Sequence, residues 1–212
     1  DWSSDVCSSD LAVMLLWQTV IIKPLKIFAV YLHELGHTFM ALIFGMKINS
    51  FNVSLNESGY VAYQAKGWFS TFMVASAGYM GSILFALLIL YLKRTSLKKY
   101  ILGSLAIILL LVSLRYSSSI VTIVLPIIFS IFIIALYMFQ NDKINDWVID
   151  ILGISCAAYA IYDTFVDTIL LEVNSHFNII AAWVEKPVTD AVLLAEHTHI
   201  PAIIWGIIWL VI

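Results

Sequence analysis

Apolar residues run along this chain in long blocks broken by short polar clusters. That pattern is too coarse for strand alternation and too continuous for the one-sided stripe of a surface helix. Blocks of about 20 apolar residues match the thickness of a bilayer core. Thr71 to Leu92, Tyr100 to Ser113 and Ile120 to Phe139 each read as a membrane span, with KRTSLKK and RYSSS between them. Trp147 to about Val173 reads as another, and it carries Asp163 and Asp167 inside apolar sequence. Residues 174–200 are mixed, and Pro201 to Ile212 begins a last span. Upstream, Leu11 to Met46 is apolar apart from Gln18, Lys23, Lys26 and the cluster His33, Glu34, His37. Pro24 is expected to kink or divide that stretch. Residues 47–70 change character: polar positions alternate with Phe51, Val53, Leu55, Val61 and Tyr63 around the turn-forming Asn-Glu-Ser-Gly, which predicts a β-hairpin. An open hairpin cannot face lipid, so it should be covered by protein or lie at the interface. The expected architecture is an all-α multi-pass membrane protein of about six transmembrane helices, with a short β-hairpin after the helix that bears the polar cluster.

Composition sharpens this picture. Of the 212 residues, 62% are hydrophobic and 12% charged, against about 45–50% and about 25% in a soluble domain. That balance excludes disorder and an ordinary soluble enzyme, and the absence of a basic surplus excludes a nucleic-acid binder. Two cysteines, Cys7 and Cys156, are too few for a disulfide framework. Lys93, Arg94, Lys98 and Lys99 place their loop in the cytoplasm; alternation then puts Lys23, Lys26 and Lys143 on that side and Lys47, Lys66 and Arg115 on the other.

The opening DWSSDVCSSDL is unlike everything after it, and it reads as a sequencing-library adapter translated in frame. Residues 1–10 are therefore expected to be foreign, and residues 11–212 to form a single membrane-embedded domain truncated at both ends. Without Asp1, Asp5 and Asp10 the acids number 11, equal to the 11 bases, and the formal charge of -3 becomes zero.

His33-Glu34-Leu35-Gly36-His37 is an HExxH motif. On a helix its histidines stand at i and i+4 on one face, where both imidazoles can bind one Zn²⁺, with the glutamate beside the water that the metal activates. Zinc lowers the pKa of such water to about 7 and polarises a carbonyl, and Glu34 is placed to take the proton and return it to a leaving amine. From the numbers of His and Glu here, a chance HExxH is expected on the order of 0.003 times. Ionisable groups inside apolar sequence are costly unless a partner compensates them, and a bound cation is such a partner.

HELGH within a membrane helix resembles the signature of the site-2 protease family of intramembrane zinc metallopeptidases, in particular its compact bacterial-type branch. The helix HELGHTFMALIFG, the strand SGYVAY, AGYMGS opening the next span, the late YAIYDTFVDTI and TDAVLLAEHTHIPAIIWGIIW follow in the expected order over most of residues 24–209. The resemblance implies a zinc endopeptidase in a bacterial-type cell membrane that cleaves membrane-spanning protein substrates. It also implies a zinc site of two histidines and one carboxylate. The family's third ligand is the Asp of an Asn-Pro…Leu-Asp-Gly type motif, which this sequence lacks. Asp163, Asp167 and Asp190 are the candidates. Asp163 is favoured because it lies deepest, Asp167 stands one turn on as the alternative or as a supporting partner, and Asp190 reads as a helix cap or interface residue. The missing motif keeps a second reading open: a non-catalytic membrane protein of the same fold that uses the metal site for structure or partner binding. A transporter with an acidic relay would explain Asp163 and Asp167 but not the HExxH spacing.

Other features read plainly. His197 and His199, at i and i+2, do not converge on a helix, and His176 is alone. Cys156 reads as a core residue. Trp183, Trp205, Trp209, Tyr60 and Tyr63 read as interface belts, KRTSLKK as a topology determinant, and AGYMGS as a close helix contact with the HELGH helix. The hairpin at 47–64 offers an edge for an unwound substrate segment.

Overall fold

The structure, a computed structural model, describes residues 19–177 and 189–211. The adapter-like residues 1–10, the apolar residues 11–18, Trp183 and the side chain of His176 lie outside the described residues.

Helix α1 spans Lys23–Ile43, with Pro24 in its first turn. There the missing N–H is not needed and the fixed φ suits a helix start, so Pro24 begins this helix and does not kink it. The helix stops at Gly45, whose φ of 61° turns the chain back. Gly45 N donates to Leu42 O at 2.9 Å and Met46 N to Ala41 O at 2.8 Å, which satisfies carbonyls the helix end would leave free.

The predicted hairpin follows as β1 (Ile48–Val53) and β2 (Gly59–Tyr63), paired antiparallel with Phe51 opposite Val61 and Val53 opposite Gly59. Its β1 edge is not open. Thr122 Oγ1 accepts from Val53 N and donates to Val53 O, both at 3.0 Å, and Tyr31 OH donates to the Thr122 carbonyl at 2.7 Å. Protein thus satisfies the backbone groups that lipid could not. At the hairpin tip Lys26 pairs with Glu57 at 3.3 Å. Lys26 is therefore a buried partner of the hairpin.

Four long helices come next: α2 (Trp68–Lys93), α3 (Ile101–Tyr116, after a 3-10 turn at Lys98–Tyr100), α4 (Ile120–Met138) and α5 (Asp142–Thr164). A π-helical segment, Phe165–Leu170, carries α5 into α6 (Leu171–Phe177). Beyond the undescribed stretch, α7 (Asp190–Thr198) and α8 (Ala202–Val211) meet at 117°. Among the described residues, four helical stretches are long and apolar enough to cross a membrane, or five if the bent pair α7–α8 is one span. The sequence led to about six; α1, with Lys23, Lys26, Glu34 and two histidines, falls outside that set.

Leu32, Leu35, Phe51, Leu102, Leu109 and Ile133 are fully buried in the main core, which α1, the hairpin and α2 to α5 share. Outward, α4 exposes Ile120, Ile128, Ile131 and Ile134, and α2 exposes Leu84, Leu87 and Leu88. Such aliphatic rows are a liability in water and the expected surface toward lipid. The chain is an integral membrane protein.

The close contact that places the site lies between α1 and α2. A Cβ on Gly36 would overlap the Ala77 carbonyl oxygen, and one on Gly81 would stand 3.0 Å from the Gly36 Cα. Only glycine permits that approach, and close approach is how helices associate where no water drives them together. The AGYMGS segment thus packs on the HELGH helix as its spacing suggested.

Candidate metal centre

His33 and His37 sit one turn apart on α1, both buried, their rings 4.9 Å apart and edge to face. Their Nε2 atoms point the same way, to a single oxygen. Asp190 Oδ2 lies 3.0 Å from His33 Nε2 and 2.9 Å from His37 Nε2. The three ligand atoms fall within 4.8 Å of one another, and they form the one group among the described residues able to hold a metal ion in this way.

Asp190 reaches them as the first residue of α7. The cap of that helix is Thr189, whose hydroxyl accepts from Val192 N, so the Asp190 carboxylate is free to face α1. The helix N-terminus favours a negative charge there.

His37 is fixed from behind: Nδ1 lies 2.7 Å from the Val74 carbonyl on α2 and donates to it. With Nδ1 committed to Val74, His37 turns Nε2 toward the Asp190 carboxylate, where a ring proton or a cation between the two makes the contact attractive. Space is provided as well. A Cβ on Gly78 would overlap Nε2 of both histidines, so a glycine stands where any other side chain would fill the site. The residues present therefore fit a zinc ion: two imidazoles and a carboxylate are a common catalytic set.

Glu34 lies beside this group, 5% exposed, and its Oε2 has no hydrogen-bond partner. The start of β2 closes over it: a Cβ on Gly59 would stand 2.6 Å from Glu34 Oε1. The hairpin thus covers the carboxyl that HExxH chemistry uses. At the base of the same strand, burial first and the Asp190 carboxylate second raise the pKa of the Tyr63 hydroxyl.

The other two aspartates take different places. Asp163 Oδ2 is 3.8 Å from His33 Nδ1, on the far side of the ring from Nε2, so it does not join the converging atoms. Asp167, in the π segment, accepts from Tyr79 OH at 2.8 Å, and the Tyr79 ring meets His33 edge-on at 4.9 Å. The carboxylate gathered with the histidines is accordingly Asp190, where depth along a single helix had favoured Asp163. A signal for it was present: Pro201 interrupts the apolar sequence that follows Asp190, and interrupted membrane helices mark sites.

His197 bonds its own helix, with Nδ1 3.1 Å from Leu193 O, and His199 closes α7 at φ 58°. Neither approaches the metal group. Cys156 is buried in the core. Trp209 packs inward on Tyr79 at 4.7 Å, and Trp205 rests on Phe72 at 5.3 Å with its indole N–H donating to Thr198.

The chain is thus a helical membrane protein with HExxH on a buried helix and a carboxylate returning to it from a later one. The peptidase M50B-like family model matches residues 6–212, and the chain belongs to that family and so to the site-2 proteases. No curated protein and no solved structure matches the chain. Membership points to intramembrane metalloprotease activity.

Proposed function

We propose that this chain is an intramembrane zinc endopeptidase that hydrolyses peptide bonds in membrane-spanning protein substrates. The observation that carries the reading is the convergence of His33 Nε2, His37 Nε2 and Asp190 Oδ2 beside the buried, partly unpartnered carboxyl of Glu34. His33, His37 and Asp190 would hold the metal. When bound, zinc polarises the scissile carbonyl and lowers the pKa of water at the site. Glu34 takes a proton from water held beside it and delivers it to the departing amine. The Val74 carbonyl keeps His37 in the tautomer that offers Nε2, and Gly78 keeps the space clear.

A peptide bond is cleaved only where the backbone is extended. β2 pairs with β1 along one edge and has no strand on its other edge among the described residues. It runs from Gly59, over Glu34, toward Tyr63, so a substrate segment added to that edge would lie alongside the general base. The four long helices, the broken pair α7–α8 and α1 together supply six membrane-embedded segments, in what we take to be a bacterial-type cell membrane.

Glu34→Gln tests the mechanism. The variant should bind zinc at the wild-type stoichiometry and cleave no membrane-spanning substrate in reconstituted vesicles. Undiminished cleavage would refute it.

A further inference from the structure

We propose that Asp163 positions His33 for metal binding by accepting a hydrogen bond from its Nδ1–H. This deepens the zinc reading above and rests on it.

The two histidines are treated differently by the fold. A neutral imidazole carries one N–H, and for Nε2 to face a metal that proton must sit on Nδ1. His37 has a backbone acceptor for it, the Val74 carbonyl. His33 Nδ1 is buried and has no hydrogen-bond partner. A buried N–H left without an acceptor is costly, and an unheld ring is free to turn its lone pair away. The Asp163 carboxylate stands beside it, with Oδ2 at 3.8 Å. That gap is within one carboxylate rotation or one bridging water.

Tyr159, one turn earlier on α5, donates its hydroxyl to the Glu57 carbonyl at 3.4 Å, which ties this part of α5 to the hairpin tip. Asp163 stands at the end of that helix, just before the π segment, and such segments cluster at functional sites. Asp167, four residues on, serves Tyr79 instead, and the Tyr79 ring rests against the edge of His33. His33 is thus bounded by Asp163 behind, Tyr79 at one side and His37 at the other. The arrangement is the carboxylate–histidine–metal relay by which an outer carboxylate fixes the tautomer of a ligand and raises its basicity.

The experiment is a zinc titration of the full chain in detergent against a chromogenic chelator, for the wild type, Asp163→Ala, Asp163→Asn and Asp190→Ala. Asp163→Ala should weaken zinc about 10–100-fold. Asp163→Asn keeps an oxygen that accepts from Nδ1 and should recover much of that loss, whereas Asp190→Ala should lose more than either. Thermal unfolding of the metal-free proteins should coincide for wild type and both Asp163 variants; if the alanine variant fails to fold, the asparagine variant carries the comparison. The absorption bands of the cobalt-substituted protein should shift in Asp163→Asn, which a purely structural role would not cause. Zinc affinity within about twofold of wild type in both Asp163 variants overturns the proposal. So does loss in Asp163→Ala as complete as in Asp190→Ala with no recovery in Asp163→Asn, which would make Asp163 a ligand. A wild type that binds no zinc overturns the metallopeptidase reading itself, and the Asp190→Ala control keeps the two failures apart.

Discussion

Gly78 and His37 touch in a way that only glycine allows: a Cβ at position 78 would overlap the imidazole at Nε2, the atom that faces Asp190. Gly78→Ala is therefore predicted to weaken zinc binding without weakening the helix. Alanine is better than glycine within a helix by about 1 kcal/mol. Overpacking costs about 1–3 kcal/mol, which in affinity is roughly 5- to 150-fold. Zinc titration alongside thermal unfolding of the metal-free protein separates the two effects. Wild-type affinity in Gly78→Ala would mean that the metal sits elsewhere.

Gly59 tests the hairpin. A Cβ there would meet the Glu34 side chain at 2.6 Å from Oε1, 2.7 Å from Cγ and 2.9 Å from Cδ. The carboxyl must move, and it is the group proposed to transfer the proton. General acid–base catalysis is worth about 10²–10⁴-fold. Gly59→Ala should lower kcat by roughly 10²-fold or more and leave zinc content at the wild-type level. A variant with full kcat would detach β2 from the chemistry.

Lys26 and Glu57 tie the hairpin tip to α1. The Lys26 side chain is 10% exposed and the Glu57 side chain 31%, at a separation of 3.3 Å. Removing one member of a buried pair costs about 3–5 kcal/mol. The partial exposure of Glu57 reduces this, so Lys26→Met should cost about 2 kcal/mol. Much of that should return in Lys26→Met/Glu57→Gln, where no charge is left unpaired. Chemical unfolding of the four proteins of the cycle gives the coupling; additive losses would mean that the pair contributes nothing.

The helices, the hairpin and the placing of His33 and His37 on one helix face were legible because each is written locally. Span length, strand alternation around Asn-Glu-Ser-Gly, and the i, i+4 spacing of His33 and His37 all fit within one element. Asp190 was not legible in the same way. Its place depends on a chain reversal, in which α7 and α8 meet at 117° and the first residue of a nine-residue helix is carried to α1, far away in sequence. Depth judged along one helix favoured Asp163, and Asp163 does come near His33, but on the Nδ1 side. Nothing local states which ring nitrogen a distant carboxylate will meet. Trp205 and Trp209 illustrate the same limit: nothing local states that they pack on Phe72 and Tyr79.

Removal of the metal should loosen the attachment of α7 to α1, because Asp190 links those two helices across the site, whereas α1 and α2 stay joined through Gly36, Ala77 and Gly81. The two histidines belong to α1, the carbonyl that fixes His37 belongs to α2, and Asp190 belongs to α7. A ligand that binds only the folded state stabilises it by about 2.7 kcal/mol at a free concentration of 100 times Kd. Treating the zinc-loaded protein with a strong chelator should therefore lower Tm by several degrees, and restoring zinc should reverse the change. Asp190→Ala should already melt near the chelated wild type and respond little to either treatment, since the strand of contacts from α7 to α1 is then gone. Glu34→Gln should respond as the wild type does, because Glu34 is not in the ligand set. A Tm that ignores the chelator in a protein proven to carry zinc would show that the metal does not bridge α1 and α7, and would remove Asp190 from the centre.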